Sequence, residues 1–364
     1  MGTKPISTLL IIAMITASLS VNAGRSHRAD SLKLSALSSK SPLEKINTLL
    51  LLSRELDGND LQAAMKYARQ AEILSDQSSS KSGKLNSLLR MADISLALNS
   101  YQSAMDYAED ARALSEDLDL VKENATALGI MAIIYAELGD YGRSMELNYR
   151  ILRLFEQIND KMDVGITMGN IGADYLSQHN YKMAIDYLNK ALNVAIELGD
   201  KQGMAHQYNN IAGIYMSHIK DYKRAQHYLH EALKLNLELG NRHLQGINYI
   251  NLGITWFRLN MPDSAFLYYT KGQAIFTESN SPLLIADCEI YLSEYYASQN
   301  DREKGKAFAK AALSKGQQDK SFETIRHAAT LLHDFYVSEK DSANAYKYSI
   351  IQHQAQDSLL FLQN

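Results

Sequence analysis

Small and aromatic side chains recur along this chain with a period close to 40 residues, on several registers at once. One small register runs Ala64, Ala104, Ser144, Ala184, Ala225, Ala265, Gly305 and Ala345, in steps of 40, 40, 40, 41, 40, 40 and 40. A second, Ala92, Ala132, Gly172, Ala212, Gly253 and Ser293, precedes it by 12 residues, or by 13 before Ala225. Aromatic positions follow the same beat: Tyr135, Tyr175, Tyr215, Trp256, Tyr296 and Tyr336, and again Tyr101, Tyr141, Tyr181 and Tyr222. Residues three, four or seven apart share one face of a helix, so Ala184, Tyr187, Leu188 and Ala191 form one stripe. Small residues let two helix backbones approach, and an aromatic ring fills the space beside them. Gly139-Asp140, Gly199-Asp200 and Gly240-Asn241 punctuate the pattern: a left-handed Gly closes one helix and Asp or Asn caps the next. The extra residue before Ala225 is expected in the turn at His218, Ile219 and Lys220, leaving both flanking helices undisturbed.

The pattern predicts an all-α chain of eight helix pairs, near 42–76, 81–117, 121–158, 161–198, 201–239, 242–279, 282–317 and 321–362. Residues 24–41, rich in Ser and Lys, are expected to be a flexible lead-in. One helix pair cannot bury both of its apolar faces, whereas a stack can.

The segment Asn-Ile-Gly-x-x-Tyr (170–175), Asn-Tyr-x-x-Ala (180–184) and Tyr-Leu-x-x-Ala-Leu (187–192) resembles the tetratricopeptide repeat. The usual unit is about 34 residues; both helices are lengthened here. The long form resembles Rap-type regulators, activators of the MalT kind, kinesin light chains and the exported sensor arrays of Bacteroidetes-like bacteria. The resemblance covers residues 42 to about 355 and is weakest in units one, seven and eight, where Leu61, Gly305 and His333 depart from the pattern. It implies a right-handed α-solenoid whose first helices line a concave groove, and a chain that binds protein segments.

Composition narrows the partners. With 37 basic and 41 acidic residues and a net charge of −4, there is no phosphate-neutralising stripe, so nucleic acid is disfavoured. Lys4, an uncharged run over residues 6–19 and Val21-Asn22-Ala23 read as a secretory signal cleaved near Ala23–Gly24. The alternative is an uncleaved membrane anchor. The expected location is therefore the periplasm. Cys288 is the one cysteine, so no intramolecular disulfide or zinc cluster can form, and a packed, inert thiol is expected.

No phosphate loop, zinc-protease motif or nucleophile elbow occurs in the sequence. His227 and His230, three apart on a helix, are too few for a metal site without further ligands. Neither a cofactor nor a metal is expected, and the chain is read as non-catalytic. The candidate site is instead the face of each first helix opposite its packing aromatic, running i, i+4, i+7, i+11. That stripe is Ile166, Asn170, Ala173, Ser177 in unit four, His206, Asn210, Gly213, Ser217 in unit five, and Ile247, Asn251, Ile254, Arg258 in unit six. Asn170, Asn210 and Asn251 recur at one position, and an amide can both donate to and accept from a peptide backbone. His206, Ser217 and Arg258 complete the candidate groove, with His206 and Arg258 positioned to meet a carboxylate. The alternative is that the three asparagines tie neighbouring helices together.

Three functions compete. The first is a periplasmic scaffold holding an extended segment of a protein or peptide. The second is the sensor or receptor array of a signalling system, stand-alone or truncated, with residues 356–361 resembling the start of a connecting helix. The third, an enzyme such as a Rap-like phosphatase, fits poorly with an exported chain.

Overall fold

The computed structural model describes residues 22–39, 41–57 and 60–363. The signal segment, residues 1–23, lies outside the described residues except for Asn22 and Ala23. Helix α1 (Asn22–Ser38) comes first. The pairs that follow are α2 (Pro42–Glu55) with α3 (Leu61–Gln77), α4 (Lys81–Ala97) with α5 (Tyr101–Asp117), α6 (Val121–Glu137) with α7 (Tyr141–Gln157), and α8 (Lys161–Ser177) with α9 (Tyr181–Leu198). Next come α10 (Lys201–Ile214) with α11 (Tyr222–Glu238), α12 (Arg242–Arg258) with α13 (Pro262–Glu278), α14 (Pro282–Ser298) with α15 (Arg302–Gln318), and α16 (Phe322–Ser338) with α17 (Ser342–Gln363). Among the described residues there is no strand, and no helix is long and apolar enough to cross a membrane. The chain divides into two compact bodies, whose described parts are residues 22–199 and 200–363.

One turn geometry serves throughout. A left-handed residue stands at 79, 99, 119, 139, 159, 179, 199, 220, 240, 260, 280, 300, 320 and 340, every 20 residues but for one step of 21. Only Gly139, Gly199 and Gly240 are glycine; the others include Asn99, Asn159, Asn260, Asn280, Asn300, Lys220, Lys320 and Lys340. The next residue caps the following helix. Asp140, Asp160, Asn180, Asp200, Asp221, Asn241 and Asp301 each accept the backbone N–H three residues on, which satisfies a donor that a helix start otherwise leaves open. Links within a pair and between pairs are thus the same three-residue device.

First and second helices bury themselves differently. In the body of residues 22–199, α4 encloses ten residues, among them Leu85, Leu88, Met91, Ala92 and Ile94, whereas α5 encloses only Ala104, Ala108, Ala111 and Ser115. The first helices also touch along their own row, α2 with α4 and α4 with α6; in the other body α12 meets α14, and α14 meets α16. First helices are therefore the inner layer of each body. Second helices keep one face in water, and their small stripe lets them seat closely.

The close approach is most demanding at two glycines. A Cβ on Gly253 would stand 2.5 Å from the ring of Tyr269, and one on Gly305 would stand 2.4 Å from the ring of Phe335. A row of exposed ion pairs joins the start of a first helix to the end of its second: Lys81–Asp117, Lys161–Glu197, Lys201–Glu238 and Arg242–Glu278. Such solvated pairs contribute little, so cohesion comes from the buried apolar contacts.

Two expectations are corrected. Residues 24–41 are not a flexible lead-in, since α1 occupies most of them. Ala29 and Ala36, seven apart and so on one helix face, are both buried; Ala36 joins the cluster of Ile46, Leu49, Leu50 and Ala71, and Arg28 pairs with Glu55 at 3.1 Å. The helix covers an end of the stack that would otherwise expose apolar surface. The extra residue near 218 does not sit in the turn. It widens the last turn of the preceding helix into a π-helical segment, Tyr215–Ile219. Asp221 donates back across six residues to the Tyr215 carbonyl (2.9 Å), whereas Asn180 donates across five to that of Tyr175 (2.8 Å). The left-handed residue and the cap are fixed by geometry, so the helix takes up the insertion.

Candidate functional site

The predicted stripe lies on first helices, and its members differ in what they touch. In the body of residues 22–199, Asn170 is exposed on α8 and makes no hydrogen bond. In the other body, Asn210 is half-buried on α10, its Nδ2 3.4 Å from Nδ1 of His206 one turn earlier. Asn251 is half-buried on α12 and unbonded. Ser217 falls in the π-helical turn, and its Oγ is buried without a hydrogen-bond partner. Arg258 is exposed at the end of α12 and makes no ion pair, although its charge reaches Glu294, Tyr269 and Tyr291.

None of the three asparagines ties one helix to another. Other asparagines do that work. Asn236 on α11 donates to Asn248 on α12 at 2.7 Å, and Asn248 donates in turn to Asn209 on α10. Asn209 immediately precedes Asn210, so the inter-helix tie and the stripe amide sit on adjacent positions of one helix.

The same stripe carried into the seventh pair reads Asp287, Tyr291, Glu294 and Ser298 on α14. Sequence reasoning missed these residues, because the stripe was followed only through the three best-matching units. Asp287 and Tyr291, with Leu284 of the same helix, line a narrow crevice against Ile247, Ile250 and Asn251 of α12, and Phe276 of α13 closes it. Neither carboxylate forms a hydrogen bond or an ion pair, nor does the Tyr291 hydroxyl find a hydrogen-bond partner. Burial lifts the Asp287 carboxyl to about 7, and the negative charge of Glu323 adds to the shift. Burial likewise raises Glu294, with Arg258 opposing. The Tyr291 hydroxyl is pushed up by burial and then by Asp287 and Glu294.

At the matching positions of the first two pairs, Arg90, Ser53 and Asp57 are tied to one another. Arg90 donates from Nε to Ser53 Oγ (2.9 Å), from Nη2 to the Ser53 carbonyl (3.0 Å), and pairs with Asp57. Asp93, one turn on, is raised to about 6 by burial, with Arg90 opposing and Asp57 adding. On α8, Asp174 is buried but accepts from Ser144 Oγ (2.9 Å) and Asn148 Nδ2 (2.8 Å). The unbonded groups on α12 and α14 therefore stand apart from polar groups that the fold itself consumes.

Comparison with known proteins agrees with this architecture. Residues 123–197 match the family model described as tetratricopeptide repeat. That segment carries the tetratricopeptide-repeat pattern. No curated protein matches it. Among solved structures, the repeat chain is similar to the apo form of RapI, with a TM-score of 0.69, 15% identity and 92% of each chain covered. It is also similar to the apo form of the quorum sensor NprR from B. thuringiensis, with a TM-score of 0.70, 14% identity, and 91% of this chain and 93% of that chain covered. A third likeness is to a signal-transduction ATPase with a tetratricopeptide-repeat sensor from Pyrococcus horikoshii. Its TM-score is 0.67 at 16% identity, over 95% of this chain and 55% of that chain. At these identities the likeness is one of fold.

The remaining candidates of the repeat protein are structural. Tyr149, Tyr175 and Tyr187 meet through their hydroxyls, Tyr149 lying 3.1 Å from Tyr175 and 3.0 Å from Tyr187. Tyr215 stacks on Tyr228, and Tyr336 on Tyr348. Cys288 is buried, and burial raises its thiol far above the range in which a thiolate forms. His227 and His230 lie edge-on to Tyr228 and Tyr268. Among the described residues no three His, Cys, Asp or Glu side chains converge as metal ligands.

Proposed function

We propose that this repeat protein binds an extended segment of another polypeptide along its first-helix row, without covalent chemistry. The observation that carries this reading is the set of unbonded polar groups on α12 and α14: Asn251, Asp287, Tyr291 and Glu294. A half-buried polar group that the fold leaves unpaired costs stability, so a run of them on one face favours a ligand that completes them. Asn170 and Asn210 suit the same use at the matching stripe position, because an amide can meet both backbone groups of a peptide. Within the body of residues 22–199, Ile133 at 45% and Ile166 at 55% exposure offer apolar contact on its own first helices. Ser217, His206 and Arg258 are proposed as flanking contacts. The relatives in fold include a Rap regulator whose structure holds a Phr* peptide, which supports a peptide as the kind of ligand.

The test is a displayed library of peptides panned against the protein. Asn170, Asn210 and Asn251 are then changed to Ala, singly and together. Binders that lose affinity for the triple variant, at an unchanged melting temperature, support the groove; a library with no binder, or binders indifferent to all three, count against it.

A sensory role is the second reading. It is favoured by likeness to proteins described as a quorum sensor and a repeat sensor, and by α17, at 22 residues longer than the 17 usual among the other helices. On either reading we propose export to the periplasm, resting on the N-terminal sequence. Mass spectrometry of the protein from its host should give a chain beginning at Gly24, and a retained Met1 would refute cleavage.

A further inference from the structure

We propose that the crevice between α12 and α14 is a subsite for a primary ammonium group carried by the bound segment, with Asp287 as its counter-ion and Tyr291 and Asn251 as hydrogen-bond partners. The inference rests on the polypeptide-binding reading above and names what that ligand must bring.

The geometry selects a small cation. Asp287 and Tyr291 lie one turn apart on α14, and Asn251 faces them from α12 across the crevice. None of the three has a hydrogen-bond partner in the protein. Tyr291 is half-buried, and its ring is held flat against Tyr269, 5.4 Å between centroids at 16°. Its hydroxyl is thus fixed in place with an unused lone pair. A carboxylate, a phenolic oxygen and an amide oxygen together offer three acceptors, the complement of the three donors of an ammonium. The remaining walls, Ile247, Ile250, Phe276 and Leu284, are apolar. They exclude water and would hold methylenes.

Size narrows the choice further. The crevice has room for about one water-sized group, which suits an ammonium and is too small for a planar guanidinium. Local charge agrees. No cation pairs with Asp287, and Glu323 on α16 adds negative potential. Arg326 is engaged by Glu323 at 2.7 Å, and the Arg258 charge acts on Glu294 rather than on Asp287. His243 and His327 are both pushed by burial towards their neutral forms.

Two sources carry such a group, a lysine side chain and a free amino terminus. Four pentapeptides separate them by calorimetry near pH 7. The first is Ala-Ala-Lys-Ala-Ala blocked at both ends, and the second and third are the same with norleucine or arginine in place of lysine. The fourth is penta-alanine with a free amino terminus. The lysine peptide, the free-terminus peptide or both should bind at least about tenfold more tightly than the norleucine peptide. Asp287→Asn should abolish the difference, and Tyr291→Phe should reduce it. Both variants should melt no lower than the parent, since each removes an unsatisfied polar or charged group. Equal binding of lysine and norleucine peptides overturns the subsite while leaving polypeptide binding by the groove intact. Equal binding of the arginine peptide overturns the assignment to an ammonium. A preference that survives Asp287→Asn, or no measurable binding of any of the four, also overturns the subsite.

Discussion

Gly253 on α12 lies so close beneath Tyr269 on α13 that a single added carbon would meet the ring at 2.5 Å and the Ala265 carbonyl at 3.3 Å. Tyr269 in turn stacks on Tyr291, which walls the crevice. Gly253→Ala should therefore destabilise the protein by about 2 kcal/mol, overpacking outweighing the gain of about 1 kcal/mol from better helix propensity. Gly129, on α6, meets nothing within 4 Å. Gly129→Ala should stabilise by about 1 kcal/mol on propensity alone. Urea unfolding of the two variants checks both signs, and a destabilised Gly129→Ala would show that propensity does not govern that site.

Eleven of the fourteen left-handed turn residues carry a side chain. Asn tolerates that conformation, whereas Lys gains nothing from it. Lys320→Gly should raise stability by about 0.5–1 kcal/mol, the relief of the strained φ being partly offset by the freer unfolded chain. Lys320→Asn should raise it by less. Thermal melts of the two variants decide it.

Asn248 and Asn251 sit three residues apart on one helix with opposite roles. Asn248→Ala strands the amides of Asn236 and Asn209 and should cost about 1–3 kcal/mol. Asn251→Ala removes nothing that the fold uses and should change stability by no more than about 0.5 kcal/mol while weakening peptide binding. If Asn251→Ala melts as low as Asn248→Ala, both asparagines are structural and the groove loses its central polar contact.

The raised pKa of Asp287, about 7, links stability and binding to pH in opposite senses. Its folded pKa exceeds the ordinary carboxylate value of about 4, so the native state holds the proton more tightly than the unfolded chain. The cost of the buried charge is fully present above about pH 7 and is relieved as pH falls towards 4. Asp287→Asn should thus melt higher than the parent at pH 7.5 to 8 (approximate range), with the gap closing on acidification. Binding of an ammonium needs the ionised carboxyl, so affinity should instead fall as pH drops through about 7. The charged and titratable groups linked to Asp287 are Glu323 on α16, with Arg326 and His327 paired to it, and Tyr291 and Cys288 on α14 itself. Comparing parent with Asp287→Asn removes their common contribution, and parallel pH profiles would refute the linkage.

The fold was legible because small residues cannot be exchanged where helix backbones touch. Ala64, Ala104, Ala184, Ala225 and Ala265 are all fully enclosed, and their spacing is the spacing of the pairs. Less legible were features that leave no compositional trace. Left-handed turns at Lys320 or His179 look like any polar loop, and an inserted residue reads the same whether a turn or a helix absorbs it. The first helix was hidden by its Ser and Lys content, since its seat depends on little more than Ala29 and Ala36. The stripe of candidate residues was placed on the first helices from periodicity alone. Which of two neighbouring asparagines ties helices together and which lies on the stripe depends on a rotation of about 100° between adjacent residues, and on what stands opposite. Asp287 and Glu294 gave no signal as a pair until α12 and α13 closed around them.

Backbone and side chains keep different time in this protein. The turns repeat every 20 residues, yet the wide apolar surface of an inner helix and the narrow small-residue stripe of an outer one alternate, so the chemistry repeats only every 40. Excising one helix with its turn would rejoin the backbone without strain and still put each later inner helix on the outside, its greasy flanks in water and its outer neighbour turned inward. Evolution can therefore lengthen or shorten such an array only by whole couplets, although the main chain alone would permit half that step.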